Sequence, residues 1–377
     1  MNILITGGAG FIGTHLTRDL LESGHEVVIL DNFLAQVHGC NASVASDLKD
    51  HVRLVVGDVA DRSAMEDALS GAQCVIHLAA ETGTGQSMYE VSRYERSNLS
   101  GTAILLELLT KSSHRRVERI VVASSRSIYG EGAYHCPADG LVYPSPRSSE
   151  DKRSGLFDPL CPNCGQACAP VPTAESAPLH PASFYGLTKQ VQEQMVLMFG
   201  RMLGITSFAL RYQNVYGPGQ SLLNPYTGIL AIFSTLARTG KPLHIFEDGL
   251  ESRDFVFVED AVRATRAAAL GDAEGWYAVN VGSGVATKVS EVAEGVRQFF
   301  QSTSPIEITG AFREGDIRHG LADLSLARRL LNYNPEYEFD VGLRKFLEWA
   351  AESRSAVSRY DESLTEMKTR GLLHGRA

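Results

Sequence analysis

No apolar run in the 377 residues approaches the roughly 18–20 that a membrane span needs. A cationic excess is missing too. The 35 Lys and Arg stand against 44 Asp and Glu, a net charge of -9, and the basic residues are dispersed, which argues against a nucleic-acid footprint. Cysteine is scarce, and six residues are too few for a disulfide scaffold. With 44% hydrophobic and 21% charged residues, the composition excludes the disordered and fibrous classes. No signal-peptide pattern precedes the first strand-like run, MNILIT, so the expected compartment is the cytoplasm.

What is there is alternation. NILIT from Asn2, EVVIL from Glu26, VRLVV from Val52, CVIHL from Cys74 and RIVVAS from Arg119 read as strands. Phe11 to Glu22, Arg62 to Leu69 and Asn98 to Thr110 carry helical spacing between them. Near-continuous apolar strands separated by helices imply an α/β, Rossmann-like, doubly wound parallel sheet covered on both faces. The reading divides the chain into a dinucleotide-binding unit at 1–215, a smaller α/β substrate lobe at 216–353 and a peripheral polar tail at 354–377. Strands near Tyr277 and Ile306 are assigned to the lobe. Residues 131–181, rich in Pro, Cys, Ser and Gly, interrupt the first unit as a loop insertion without a core of its own.

After the first strand comes a glycine-rich turn, Gly7 to Gly13, with Gly7, Gly10 and Gly13 in a spacing that lets backbone approach a pyrophosphate at a helix N-terminus. Phe11 and Ile12 belong to the same turn. The second strand ends at Asp31, where a ribose-binding carboxylate belongs and a 2'-phosphate would be repelled, which favours NAD over NADP. Asn32 follows it. Asp58 and Val59 are placed near the adenine, and Leu78, Ala79 and Ala80 where backbone passes close to the cofactor. Tyr185 and Lys189, four apart at the start of a helix, share one face, so a buried ammonium can lower the phenol pKa for general-base work. Ser124 and Ser125, at the end of the Arg119 strand, offer hydroxyl partners.

With these motifs in this order, the chain resembles the extended short-chain dehydrogenase/reductase superfamily, in its NAD-dependent nucleotide-sugar epimerase/dehydratase group, from Asn2 to about Trp349. The resemblance implies Ser125 as the catalytic hydroxyl, Tyr185 as base and Lys189 as the ribose-binding, pKa-lowering lysine. Asn98, Gln213 and Asn214 match positions lining the nicotinamide and the substrate phosphates, although most relatives carry Phe where Gln213 stands. Arg253, Arg313 and Asp316 match the nucleotide-diphosphate clamp, suited to bidentate charge-assisted bonds. Arg126 is placed at the substrate, and Ser221 to Phe233 as its cover. A homodimer is implied, built from the Asn98–Thr110 and Ser183–Met202 helices.

Dehydrating members follow the catalytic hydroxyl with an Asp-Glu pair; here Arg126 and Ser127 follow Ser125. The expected reaction is therefore C4 epimerisation through a transient 4-keto sugar. The loops SSRSIYGEGAYHC and NVYGPGQSLLNPYTG resemble those of dTDP-L-rhamnose 4-epimerases, which make dTDP-6-deoxy-L-talose. The rivals are a 4-ketoreductase, dehydrogenase or dehydratase with the same Ser/Tyr/Lys set, and a non-catalytic nucleotide sensor, which would lack the intact set. In the insertion, Cys161-Pro-Asn-Cys164-Gly is a zinc-knuckle pattern. Cys136 and Cys168 are its expected partners in a structural four-thiolate site, with His135 and His180 as substitutes.

Overall fold

The computed structural model describes residues 1–39, 42–111, 116–222, 224, 226, 228–353 and 360–375. Its centre is a seven-stranded parallel sheet of β1 (Asn2–Thr6), β2 (Glu26–Asp31), β3 (Val52–Val56), β4 (Cys74–His77), β5 (Arg119–Ser125), β6 (Thr206–Tyr212) and β7 (Trp276–Val281), in the order β7-β6-β5-β4-β1-β2-β3. Successive side chains of a strand point to opposite faces. Ile3 and Ile5 accordingly enter one core with Leu16 and Leu20 of the Phe11–Glu22 helix and Ala261 of the Val258–Leu270 helix. Leu4 enters the other, with Met65, Leu105 and Val196 of the Arg62–Leu69, Gly101–Leu109 and Phe184–Leu203 helices. Strand order reverses between β1 and β4, where open α/β sheets leave a crevice beyond the strand carboxyl ends.

Three expectations are corrected. The Tyr277 strand lies in the central sheet as β7, parallel to β6, and not in the lobe. Between them the chain leaves for the Asn214–Tyr216, Leu243–Ile245 and Ser252–Phe257 strands and then returns, a detour that local patterning does not reveal. The tail is not peripheral. Tyr360, Ser363 and Met367, an i, i+3, i+7 stripe of the Tyr360–Thr369 helix, are buried, and Leu373–His374 pairs antiparallel with Phe312–Arg313. The charges of this segment hide the stripe; its part at 354–359 lies outside the described residues. The insertion has a small core of Tyr134, Cys136, Val142 and Cys161 under a three-stranded sheet, Gly140–Val142, Tyr134–Cys136 and Ala169–Pro170, whose strands are too short to show alternation. Among the described residues no helix is long and apolar enough to cross a membrane.

Candidate active site

One cavity of about 510 Å³ runs from the glycine turn across the strand ends to the C-terminal lobe. At one end the β1 turn presents Gly7, Gly10 and Gly13, with Phe11 and Ile12, to the cavity. Gly7 has φ +70°, and a Cβ there would stand 2.8 Å from the Ala79 nitrogen; one on Gly13 would stand 2.5 Å from the Gly7 oxygen. The turn is therefore closed to side chains. The Phe11–Glu22 helix that follows has no side-chain cap and no acidic residue in its first turn, so its leading amides remain donors for an anion. Asp31 is buried, and its carboxylate accepts from the Ala9 amide at 3.1 Å and the Phe33 amide at 2.9 Å. Asn32, Val59, Leu78, Ala79 and Ala80 also line this end.

These residues fit a dinucleotide. The backbone cradle suits a pyrophosphate and Asp31 suits a ribose diol. Farther in, the buried Gln213 Oε1 has no hydrogen-bond partner among the described residues, an acceptor open to a ligand donor.

Two expected cofactor residues stand outside the cavity lining. Asn98 is fully buried away from the cavity. Its Oδ1 accepts from the Glu81 amide, and its Nδ2 donates to the Glu81 carbonyl and Thr188 Oγ1, so it positions the chain after β4. Asp58 does not line the cavity either; it accepts from Asn32 Nδ2 at 3.2 Å and the Ala60 amide at 2.8 Å.

In the middle of the cavity β5 ends on Ser125, which caps the short turn carrying Arg126, and Ser183 caps the helix carrying Tyr185 and Lys189. Burial raises the Tyr185 pKa, while the Ser125 hydroxyl and then the Arg126 guanidinium lower it. Burial brings Lys189 down to about 7; its Nζ donates to the Ala123 carbonyl and Gln192 Oε1, each at 2.8 Å. The pull on the phenol thus comes from Ser125 and Arg126 and not from Lys189. The Ser124 hydroxyl is directed elsewhere, donating to Glu193 at 2.6 Å, although the residue lines the cavity.

The far end holds the charged groups. Asp316 accepts from Arg253 at 3.0 Å and from Arg313 at 2.7 Å. Burial opposes the Asp316 charge, but Arg313, Arg253 and Arg126 outweigh it and hold the carboxyl well below its usual range. Arg126 Nε donates to Asn214 Oδ1 at 2.9 Å; burial and the neighbouring Arg253 lower its pKa to about 10. Ser125, Tyr185, Asn214 and the clamp thus meet in one space. Of the expected cover, Ser221, Asn224 and Tyr226 line the cavity, and Tyr226 Oη donates to Glu366 of the tail helix at 2.8 Å; residues 223, 225 and 227 lie outside the described residues.

Some of the machinery escapes sequence reading. Gln192, three residues after Lys189, donates to Thr102, which meets His77, which meets Thr6 beneath the glycine turn, a buried chain of 2.8, 3.0 and 2.7 Å bonds. Its helical spacing from Lys189 is the one visible sign. Glu251 also lines the cavity; among the described residues its Oε2 accepts no hydrogen bond and has Arg318 Nη1 at 4.0 Å, and burial carries its pKa to about 7.

In the insertion, Cys136, Cys161 and Cys164 come together with Asp139, their ligand atoms all within 4.8 Å of one another. Cys168 stands at the edge of this group: its sulfur donates to the Gln166 carbonyl at 3.6 Å and also approaches Cys136 and Cys161. Asp139 joins the expected thiols as a further candidate ligand. The sign was present: Cys136-Pro-Ala-Asp139-Gly repeats the pattern of Cys161-Pro-Asn-Cys164-Gly with Asp in the second ligand place.

A dTDP-L-rhamnose 4-epimerase of Burkholderia thailandensis is 39% identical over 353 residues, covering 93% of this chain and 95% of the relative. Among solved structures, the UDP-glucose 4-epimerase of Thermotoga maritima with UDP-glucose superposes with a TM-score of 0.76 at 28% identity, covering 93% of this chain and 99% of that one. The Thermus thermophilus UDP-glucose 4-epimerase in complex with NAD gives 0.74 at 27%, covering 94% and 100%. The family model described as the NAD dependent epimerase/dehydratase family matches residues 3–149 and 163–282, broken only inside the cysteine-bearing insertion. By its glycine turn, its Ser/Tyr/Lys set and this match over most of its length, the chain belongs to the NAD-dependent epimerase/dehydratase family.

Proposed function

We propose that the protein is an NAD-dependent nucleotide-sugar 4-epimerase that interconverts dTDP-L-rhamnose and dTDP-6-deoxy-L-talose. The observation that carries the reading is the junction of Ser125, Tyr185 and Lys189 with the Arg253–Asp316–Arg313 clamp in one cavity that also contains the dinucleotide cradle. Residues 1–215 hold the cofactor; residues 216–353, with Arg126 and Asn214, hold the sugar nucleotide.

Arg253 and Arg313 engage the diphosphate, which extends the sugar toward Tyr185. Tyr185 accepts the proton of the C4 hydroxyl, and Ser125 and Arg126 lower the phenol's pKa against its burial. NAD, when bound along the glycine turn, supplies the acceptor for the C4 hydride and its return to the opposite face. Tyr185 then gives its proton back to the new hydroxyl. Elimination at C5 and C6 would need an acid pair beside Ser125, and Arg126 and Ser127 stand there instead.

A homodimer is part of the reading, since Leu187, Met198 and Met202 leave an exposed apolar stripe on the Phe184–Leu203 helix. Cytoplasmic residence suits the described cysteines, none of which is joined in a disulfide.

The test is to incubate the purified protein with dTDP-L-rhamnose and no added coenzyme. A mixture of C4 epimers is expected. Net reaction only with added NAD or NADH would make the protein a dehydrogenase or ketoreductase.

A further inference from the structure

We propose that the insertion is built on one zinc ion, bound by the thiolates of Cys136, Cys161 and Cys164 and the carboxylate of Asp139. Two turns of one design face each other. In each, Cys-Pro is followed one residue later by a second ligand and a glycine: Cys136, Asp139 and Gly140 in the first, Cys161, Cys164 and Gly165 in the second. Gly140 has φ +71° and Gly165 φ +73°, the same left-handed conformation that lets a ligand turn fold back on itself. The amides of Ala138 and Asp139 point at the Cys136 sulfur, and that of Gln166 at the Cys164 sulfur, the backbone arrangement of a ligand turn.

The distances suit a tetrahedral ion. Cys136 Sγ lies 3.4 Å from Cys164 Sγ, and Asp139 Oδ2 lies 3.1 Å from Cys161 Sγ and 3.6 Å from Cys136 Sγ. Zinc with sulfur at about 2.3 Å and oxygen at about 2.0–2.2 Å separates its ligand atoms by roughly 3.5–3.8 Å. Three soft sulfurs select zinc over calcium or magnesium. Cys136 and Cys161 are buried, while Cys164 and Asp139 are exposed, which leaves a path for entry.

Four protein ligands leave no open position, and none of the four residues lines the active-site cavity. The ion is therefore a staple. The loop it closes, between Asp139 and Cys161, carries two side chains to the clamp. Arg147 donates to the Glu247 carboxylate at 2.8 Å and to the Asp316 carbonyl at 3.2 Å, and Asp158 accepts from Arg318 at 2.7 Å. Tyr134, two residues before Cys136, packs its ring on His319, which is bonded to Ser252 beside Arg253. The core of four side chains under this loop is too small to hold it alone. The part of the inference that concerns the clamp rests on the proposed nucleotide-sugar site; the metal site does not.

Metal analysis of the full-length protein, purified without chelator or added metal, tests the site directly. One zinc per chain is expected, with X-ray absorption fitting three sulfurs near 2.3 Å and one oxygen near 2.0–2.2 Å. Cys168→Ser should keep the ion and Cys164→Ser should lose it. No metal with freely titrating thiols, or a disulfide joining Cys136 and Cys164, would overturn the site. A four-sulfur shell, or zinc lost in Cys168→Ser, would overturn the ligand set. In Cys164→Ser, affinity for thymidine diphosphate should fall on the order of tenfold, one charge-assisted bond's worth, with NAD affinity unchanged. Wild-type affinity in a zinc-free, folded variant would refute the staple's action on the clamp. Failure of the wild-type protein to bind the nucleotide at all would count instead against the proposed function.

Discussion

Replacing Glu251 by glutamine should remove a pH-dependent loss of stability between about pH 4.5 and 7. The carboxyl is buried in the cavity wall; among the described residues its Oε2 accepts no hydrogen bond and has Arg318 Nη1 at 4.0 Å, and burial lifts its pKa from 4.5 to about 7. Its own backbone amide and Arg253 pull the other way, and Glu247 and Asp316 add to the rise. A carboxyl with a raised folded-state pKa contributes stability that is whole below its unfolded pKa and is lost as pH climbs through the folded value. At about 1.4 kcal/mol per pH unit, the interval is worth about 3 kcal/mol. Wild type and Glu251→Gln should therefore unfold alike near about pH 4.5. The variant should become the more stable by about 3 kcal/mol above about pH 7.5, on the order of a few degrees in melting temperature. Scanning calorimetry of the two proteins across this range measures the difference. A difference that does not change with pH would refute the assignment of a buried, titrating Glu251.

Tyr185→Phe should lower turnover at least about 100-fold, the scale of a lost general base, while NAD and sugar nucleotide still bind; stopped assays and calorimetric titration check both halves. Asp31→Ala should weaken NAD binding by roughly 10- to 100-fold through loss of charged hydrogen bonds, and unchanged affinity would remove Asp31 from the ribose site. Arg313→Ala should raise KM on the order of tenfold or more with kcat little changed, because the clamp binds a part of the substrate that does not react. A fall confined to kcat would place Arg313 at the chemistry instead.

The legible features of this molecule are those that occupy one stretch of chain. The Gly7–Gly13 turn, Asp31 at the end of a strand and the Tyr185–Lys189 pair are local patterns. The structure gathers them into one cavity because a parallel sheet brings its strand ends together. Long-range features are not legible in the same way. The bond chain from Lys189 through Gln192, Thr102 and His77 to Thr6 joins four elements, and no residue in it announces its partner. Asn98 reads as a ligand contact by position, yet its amide is used up by Glu81 and Thr188. The strand at Trp276 looks local to its lobe until its pairing with Thr206–Tyr212 is seen. Tyr360, Ser363 and Met367 show how three buried side chains decide the place of a charged segment. Asp139 was hidden by chemistry rather than distance, because a search for thiols passes over a carboxylate in the same turn.

The central claim is that hydride leaves C4 and returns to C4 within one cavity. Its most direct test follows dTDP-L-rhamnose carrying deuterium at C4 by NMR, with the purified protein and no added coenzyme. The account predicts dTDP-6-deoxy-L-talose with deuterium still at C4 and no deuterium in solvent. Product with protium at C4, or deuterium released in free reduced coenzyme, would contradict it.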